Sequence, residues 1–127
     1  MGPVCVSPSG SPPTCPGGCA PLCISDRNLK RDVVPVDEAE VLARVARMPV
    51  SRWSYVWDDP SVQHIGPMAQ DFYAAFGLGR TDRAYDPIDA HGVAFAAIRA
   101  LDRQLREQGA RIDRLEAENA RLRARRR

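Results

Sequence analysis

Between Ile98 and Leu122 the residues of one helical face return in steps of three and four: Ile98, Leu101, Leu105, Gln108, Ile112, Leu115, Asn119 and Leu122. A helix with this repeat carries an apolar stripe that it cannot bury by itself. About three and a half heptads are enough to predict a coiled coil, and with it self-association. Ile98 and Ile112 fall at a positions, Leu101 and Leu115 at d, and Asn119 is a polar a residue. In parallel pairs, Ile at a with Leu at d leans towards two strands, whereas a polar a residue mainly fixes register. The heptads alone do not give the copy number.

The whole chain has 127 residues, room for one small domain plus appendages. Residues 1–24 hold all four cysteines (Cys5, Cys15, Cys19, Cys23) and six of the eleven prolines. Such a stretch buries too little apolar surface to offset its ordering entropy, so it reads as a disordered leader with reactive thiols. The spacing Cys15-x3-Cys19-x3-Cys23 lacks the tighter Cys pairs of zinc sites, and neither His64 nor His91 is near in sequence. No metal and no cofactor are expected.

From Ser25 the pattern changes. Asp37 can cap a helix, with Glu40 reaching back as in a capping box. Val41, Leu42, Val45 and Met48 form its apolar face, and Pro49 ends it. Val50 to Trp57 alternates Trp53, Tyr55 and Trp57 with smaller or polar residues, predicting a half-buried strand. The turn Asp58-Asp59-Pro60-Ser61 and a short return strand over Val62–Ile65 complete a hairpin. Gly66-Pro67 is expected to open a second helix, with Met68, Phe72, Ala75 and Phe76 buried and Gly77 as its stop. Trp53, Tyr55, Trp57, Phe72 and Phe76 are read as core rather than as a ligand platform. Leu78 to Pro87 is mostly loop, and His91 falls near the start of the long helix. The fold class is therefore α+β: a helix and β-hairpin domain over 25–92, then a long coiled-coil helix over 93–127.

The formal charge of +2 conceals an asymmetry, because ten Arg face only five acids between Arg99 and Arg127. No base-reading motif accompanies that charge, so an Arg-rich coiled-coil surface is preferred to a nucleic-acid site. No apolar run approaches the roughly 20 residues of a membrane span. The N-terminus has no basic segment followed by an apolar stretch, so no signal peptide is read there. A soluble chain without membrane partners is expected.

Ser25-Asp26-Arg27-Asn28-Leu29-Lys30, the Val-Leu-Ala-Arg-Val helix at 41–45, Pro49 before an aromatic strand, His-Ile-Gly-Pro-Met-Ala-Gln-Asp-Phe at 64–72 and the terminal coiled coil occur in that order. In this the chain resembles the intramolecular chaperone auto-processing domain at the C-termini of phage tailspikes and tail fibres. The endosialidase chaperone is its best-known member, and related domains occur in bacterial proteins and in a membrane-anchored eukaryotic transcription factor. The resemblance covers about residues 25–122. It implies a trimer that helps an N-terminal passenger assemble and then cuts the bond just before the motif's Ser. Carried over by position, the scissile bond is Ile24–Ser25, Ser25 is the nucleophile and Lys30 its base. The motif also contains His64, a candidate supporting residue together with Gln70; Gln70 and Asp71 are otherwise expected to satisfy backbone groups or a contact between subunits. A phage virion or a bacterial cytoplasm is the implied setting. Only 24 residues precede Ser25 and they do not read as a fibre, so a lost passenger or a short leader is expected. A trimerisation cap that no longer cuts is the alternative reading.

The chemistry sets conditions. A serine needs a base, and a free Lys is neutral in only about one molecule in 2,500 at pH 7. Bringing it to neutrality takes about 4.6 kcal/mol. Burial on assembly and the like charges of Arg27 and Arg31 push that way; Asp26 and Asp32 push back. In a regular helix, positions five apart lie about 140° from each other, so the two side chains would not share a face. With Ser25 as the cap before the first turn, the long Lys side chain is expected to reach it. Backbone amides of the helix start are the expected oxyanion donors. Without the resemblance, the same Ser and Lys read as a helix cap followed by a solvated lysine.

Overall fold

The computed structural model describes residues 25–127. The leader over 1–24, its four cysteines and Ile24 lie outside the described residues. The chain divides after Pro35 into two units.

In the first unit, Arg27–Leu29 form a single turn of 3-10 helix, η1. Asp32 follows with φ of 55°, a left-handed conformation that Asp tolerates better than most side chains. After it, Val33 and Val34 run out exposed.

The second unit begins with α1 (Glu38–Arg47). Asp37 caps it as expected, its carboxylate accepting from the Glu40 amide at 3.0 Å. The reciprocal half of the capping box is replaced: the Glu40 carboxylate instead takes the Arg44 guanidinium at 3.0 Å. Met48 is already extended, as a residue before proline must be. The hairpin pairs β1 (Ser51–Trp53) with β2 (His64–Gly66), Trp53 opposite His64 and Ser51 opposite Gly66. Both strands are shorter than the alternation predicts. Asp58 donates its amide to the Tyr55 carbonyl, and Ser54 Oγ donates to the Pro60 carbonyl. Ser61 gives both its hydroxyl (2.6 Å) and its amide (2.9 Å) to Asp59 Oδ1. These local bonds compete with the ladder and curl the chain away after Trp53. They also hold the Asp59 carboxyl below its ordinary range, the Ser61 hydroxyl most of all.

Helix α2 (Ala69–Phe76) starts later than expected. Gly66 belongs to β2, and Pro67 precedes the helix instead of filling its first position. Gly77 does stop it, at φ of 60°, its amide bonded to the Tyr73 carbonyl. Arg44 from α1 donates to the Ala75 carbonyl at 2.6 Å and so ties the two helices. Phe72, only 2 % exposed, packs against Phe76 and Tyr85. Gly66 lies beneath the Tyr85 hydroxyl, where a Cβ would stand 3.4 Å from it.

Helix α3 (Pro87–Arg125) takes Pro87 in its first turn and extends for 39 residues, about 58 Å. Val93, Ala96, Ala97 and Ala100 lie one helical turn or less apart on one face and are buried, with α1 packed on α3. Alanine lets the two helix backbones approach closely. Glu38 of α1 spans to α3, with Arg103 Nη1 at 2.7 Å from one carboxylate oxygen and Arg99 Nε at 3.1 Å from the other. Beyond Ala100 every residue except Gly109 is exposed. The expected α+β architecture is present, with a two-stranded hairpin, short helices and a long C-terminal helix. Trp57 and Tyr55 depart from their expected places in the core, being 74 % and 41 % exposed, and Met68, expected buried, is 43 % exposed. No helix among the described residues is long and apolar enough to cross a membrane.

The Glu38 clamp predicts a pH dependence. Its hydrogen bond to Arg103, assisted by the charges of Arg103 and Arg99, holds the carboxyl below its ordinary range, against the opposing pull of burial. A carboxyl depressed on folding stabilises above its unfolded pKa and loses that contribution as pH falls through the folded value. Glu38→Gln therefore lowers Tm by a few degrees at pH 7, and the gap from wild type closes at pH 3. Thermal unfolding at the two pH values checks this.

Candidate active site

Ser25 and Lys30, five residues apart, are brought together by η1. Lys30 Nζ donates to Ser25 Oγ at 2.7 Å. The route differs from the one expected from sequence. Asp26, not Ser25, caps the turn, its Oδ1 accepting from the Asn28 amide at 2.9 Å and from the Asn28 side chain at 3.0 Å. The helix is a single turn, and Lys30 leaves it with extended backbone, φ −110° and ψ 145°. The 140° of a continuing α-helix never accumulates, so the Lys stem folds back along the turn to the serine. The signal for this was the Asp-x-Asn inside the motif, an Asx-type side chain that closes a short turn.

Nζ-to-Oγ proximity is the geometry of a Ser/Lys dyad, since the same heavy-atom distance serves the reverse bond, in which the hydroxyl donates to a neutral amine. Both side chains are exposed in the single chain. The amides of Asn28, Leu29 and Lys30 are already bonded to the Asp26 side chain, the Asp26 carbonyl and the Arg27 carbonyl. Three of the expected oxyanion donors are therefore occupied. Asp26 caps the turn that brings the pair together. A cap of this kind contributes about 1 kcal/mol, so Asp26→Ala should slow a reaction that depends on the turn roughly five- to ten-fold. The rate at which the fragment expected from a cut before Ser25 accumulates measures it.

His64 and Gln70 belong to the second unit. His64 lies in β2 against Trp53, ring centroids 4.9 Å apart, and near Tyr55 at 5.3 Å. Tyr55 in turn stacks on Trp57 at 4.5 Å. Gln70 sits exposed in the first turn of α2, and His91 exposed on α3. A cavity of about 540 Å³ in this unit is walled by Val41, Phe76, Leu78, Ile88 and Val93. Asp89 at its edge is held above its ordinary range by burial and by the charge of Asp86. Asp37, Glu40 and Arg44 also line the cavity, and none of its lining residues is Ser, Cys, Lys or His. Among the described residues no group of His, Cys, Asp and Glu could hold a metal ion.

Residues 25–77 match the family model described as chaperone of endosialidase, a family classed among the peptidases. The match spans η1 with the Ser25–Lys30 pair, α1, the hairpin and α2, and ends on the glycine that stops α2. No curated protein matches the chain.

Proposed function

Starting from the chaperone-of-endosialidase match over residues 25–77, we propose that this chain is a self-cleaving intramolecular chaperone domain that cuts the Ile24–Ser25 bond. The 2.7 Å approach of Lys30 Nζ to Ser25 Oγ is the observation that carries the reading. Neutral Lys30 takes the hydroxyl proton as Oγ attacks the Ile24 carbonyl carbon. The proton passes to the departing Ser25 amine as the C–N bond breaks, leaving the Ile24 acyl group as an ester on a serine oxygen. Water hydrolyses that ester, freeing the Ile24 carboxylate and restoring the hydroxyl. One turnover suffices, because the bond is delivered at high effective concentration.

The domain works as a homotrimer joined through the heptad stripe of α3. The stripe from Ile98 to Leu122 is open in the single chain, with Ile98, Leu105 and Ile112 each more than half exposed. A helix with so little tertiary support beyond Ala100 is marginal alone in water. Assembly supplies what the isolated turn lacks, desolvation of Lys30 and a donor for the oxyanion. An N-terminal passenger assembles with the trimer and is released by the cut, in a phage or bacterial setting. His64 serves the aromatic cluster of the hairpin, and Gln70 remains available for a contact between copies.

Occupied amides and an exposed Lys30 favour one competing reading, a trimerisation cap that holds its partners without cutting. Intact-mass spectrometry of the purified chain decides between them. A fragment beginning at Ser25 is expected; a chain that associates and stays whole overturns the peptidase reading and leaves the cap.

A further inference from the structure

The heptad stripe fixes the register of the residues beside it. With Ile98, Leu105, Ile112 and Asn119 at a, the flanking e positions are Asp102, Gly109, Glu116 and Arg123, and the g positions are Gln104, Arg111, Glu118 and Arg125. In a parallel coiled coil, a g residue of one helix faces the e residue five places later on its neighbour. This relation puts Arg111 opposite Glu116 and Glu118 opposite Arg123, both of opposite sign.

Two further observations bear on these four residues. All are exposed, and among the described residues none enters an ion pair, although Arg106 and Asp102 on the same helix pair at 3.0 Å. In addition, α1 covers the face of α3 that holds Val93, Ala96 and Ala100, roughly 120° around the helix from Ile98 and Leu101, so it leaves the stripe and its later flanks open. An antiparallel arrangement of full overlap, pairing Ile98 with Leu122, would set e against e and g against g. Arg111 would then face its own copy and Asp102 would face Glu116. Like charges across that seam oppose it.

We propose that the Arg111–Glu116 and Glu118–Arg123 pairs, each formed between neighbouring copies of this chain, select a parallel, in-register assembly. This inference rests on the reading that α3 joins copies of the chain, and goes beyond it by naming the charges that choose direction and register. The pairs recur at every interface, so their small individual contributions add over the assembly.

The test is a double-mutant cycle on full-length protein: wild type, Arg111→Glu, Glu116→Arg and the combined swap, each by sedimentation equilibrium at low salt. Each single reversal places like charges at every interface and should raise the concentration of half-association about ten-fold or more. The swap keeps composition and net charge and should restore association to within about three-fold of wild type. Residues five apart on one helix do not face each other, so recovery can come only from contact between chains. Circular dichroism at 222 nm confirms that each variant stays helical, and 1 M NaCl should shrink the single-variant defects. Single effects that merely add in the swap, or single reversals without effect, overturn the pairing while leaving self-association standing. A wild type that stays monomeric overturns both.

Discussion

Ser25→Ala is expected to leave the chain whole under conditions in which, on the proposed mechanism, wild type yields a fragment beginning at Ser25. Removing the oxygen removes the atom with which the proposed mechanism first attacks the Ile24 carbonyl. In serine hydrolases, loss of the nucleophile costs at least about 10⁴-fold, so no fragment should accumulate. Lys30→Met keeps the aliphatic stem but loses the base, and general-base catalysis accounts for about 10²- to 10⁴-fold. Lys30→Arg is the sharper control, since it keeps the positive charge near Ser25 Oγ yet cannot be deprotonated. It should fail like Lys30→Met. Intact mass read over a time course checks all three. Cutting by Lys30→Arg at the wild-type rate would mean that the 2.7 Å contact orients the serine without activating it.

The second large effect comes from the other end of the molecule. Ile112→Asp combined with Leu115→Asp puts two carboxylates on consecutive layers of the open stripe, where both side chains are now about half exposed. Loss of a buried aliphatic costs about 2–5 kcal/mol, and an unpaired charge at the same site adds to it. The paired substitution should make the protein monomeric at micromolar concentration. Because α1 packs on the face that carries Ala96 and Ala100, the chain's own fold should survive, with the hairpin and the α1–α3 contact intact. On the proposed mechanism the monomer also stops cutting, although Ser25 and Lys30 are untouched. Sedimentation velocity and intact mass on one preparation measure both outcomes. A monomer that cuts as fast as wild type would separate cleavage from assembly.

How far these features can be read before the structure depends on which force sets them. The long helix, the Asp37 cap and the Gly77 stop were legible, because each follows from one residue type at one backbone position. The strand ends were not. Alternation of Trp53, Tyr55 and Trp57 suits a ladder, but Ser54, Asp59 and Ser61 bond locally and stop it at Trp53. The docking of α1 was hidden for another reason: it lands on the face that holds Ala96 and Ala100, which as plain helix formers look no different from surface alanines. At the candidate site the two residues were legible and their geometry was not. A continuing helix forbids the contact; one turn capped by Asp26 permits it.

The arrangement of α3 has a kinetic consequence. One side of the helix completes the chain's own fold against α1, while among the described residues nothing covers the stripe. In a single copy the part of α3 packed on α1 can therefore form alone, while the stretch beyond Ala100 depends on neighbouring copies. On the proposed reading, joining is then a collision between copies already folded at the α1 end, second order or higher in protein, and it completes the rest of the helix. Dilution slows the joining and nothing before it, and an irreversible cut that waits for joining becomes a record of how crowded its surroundings were.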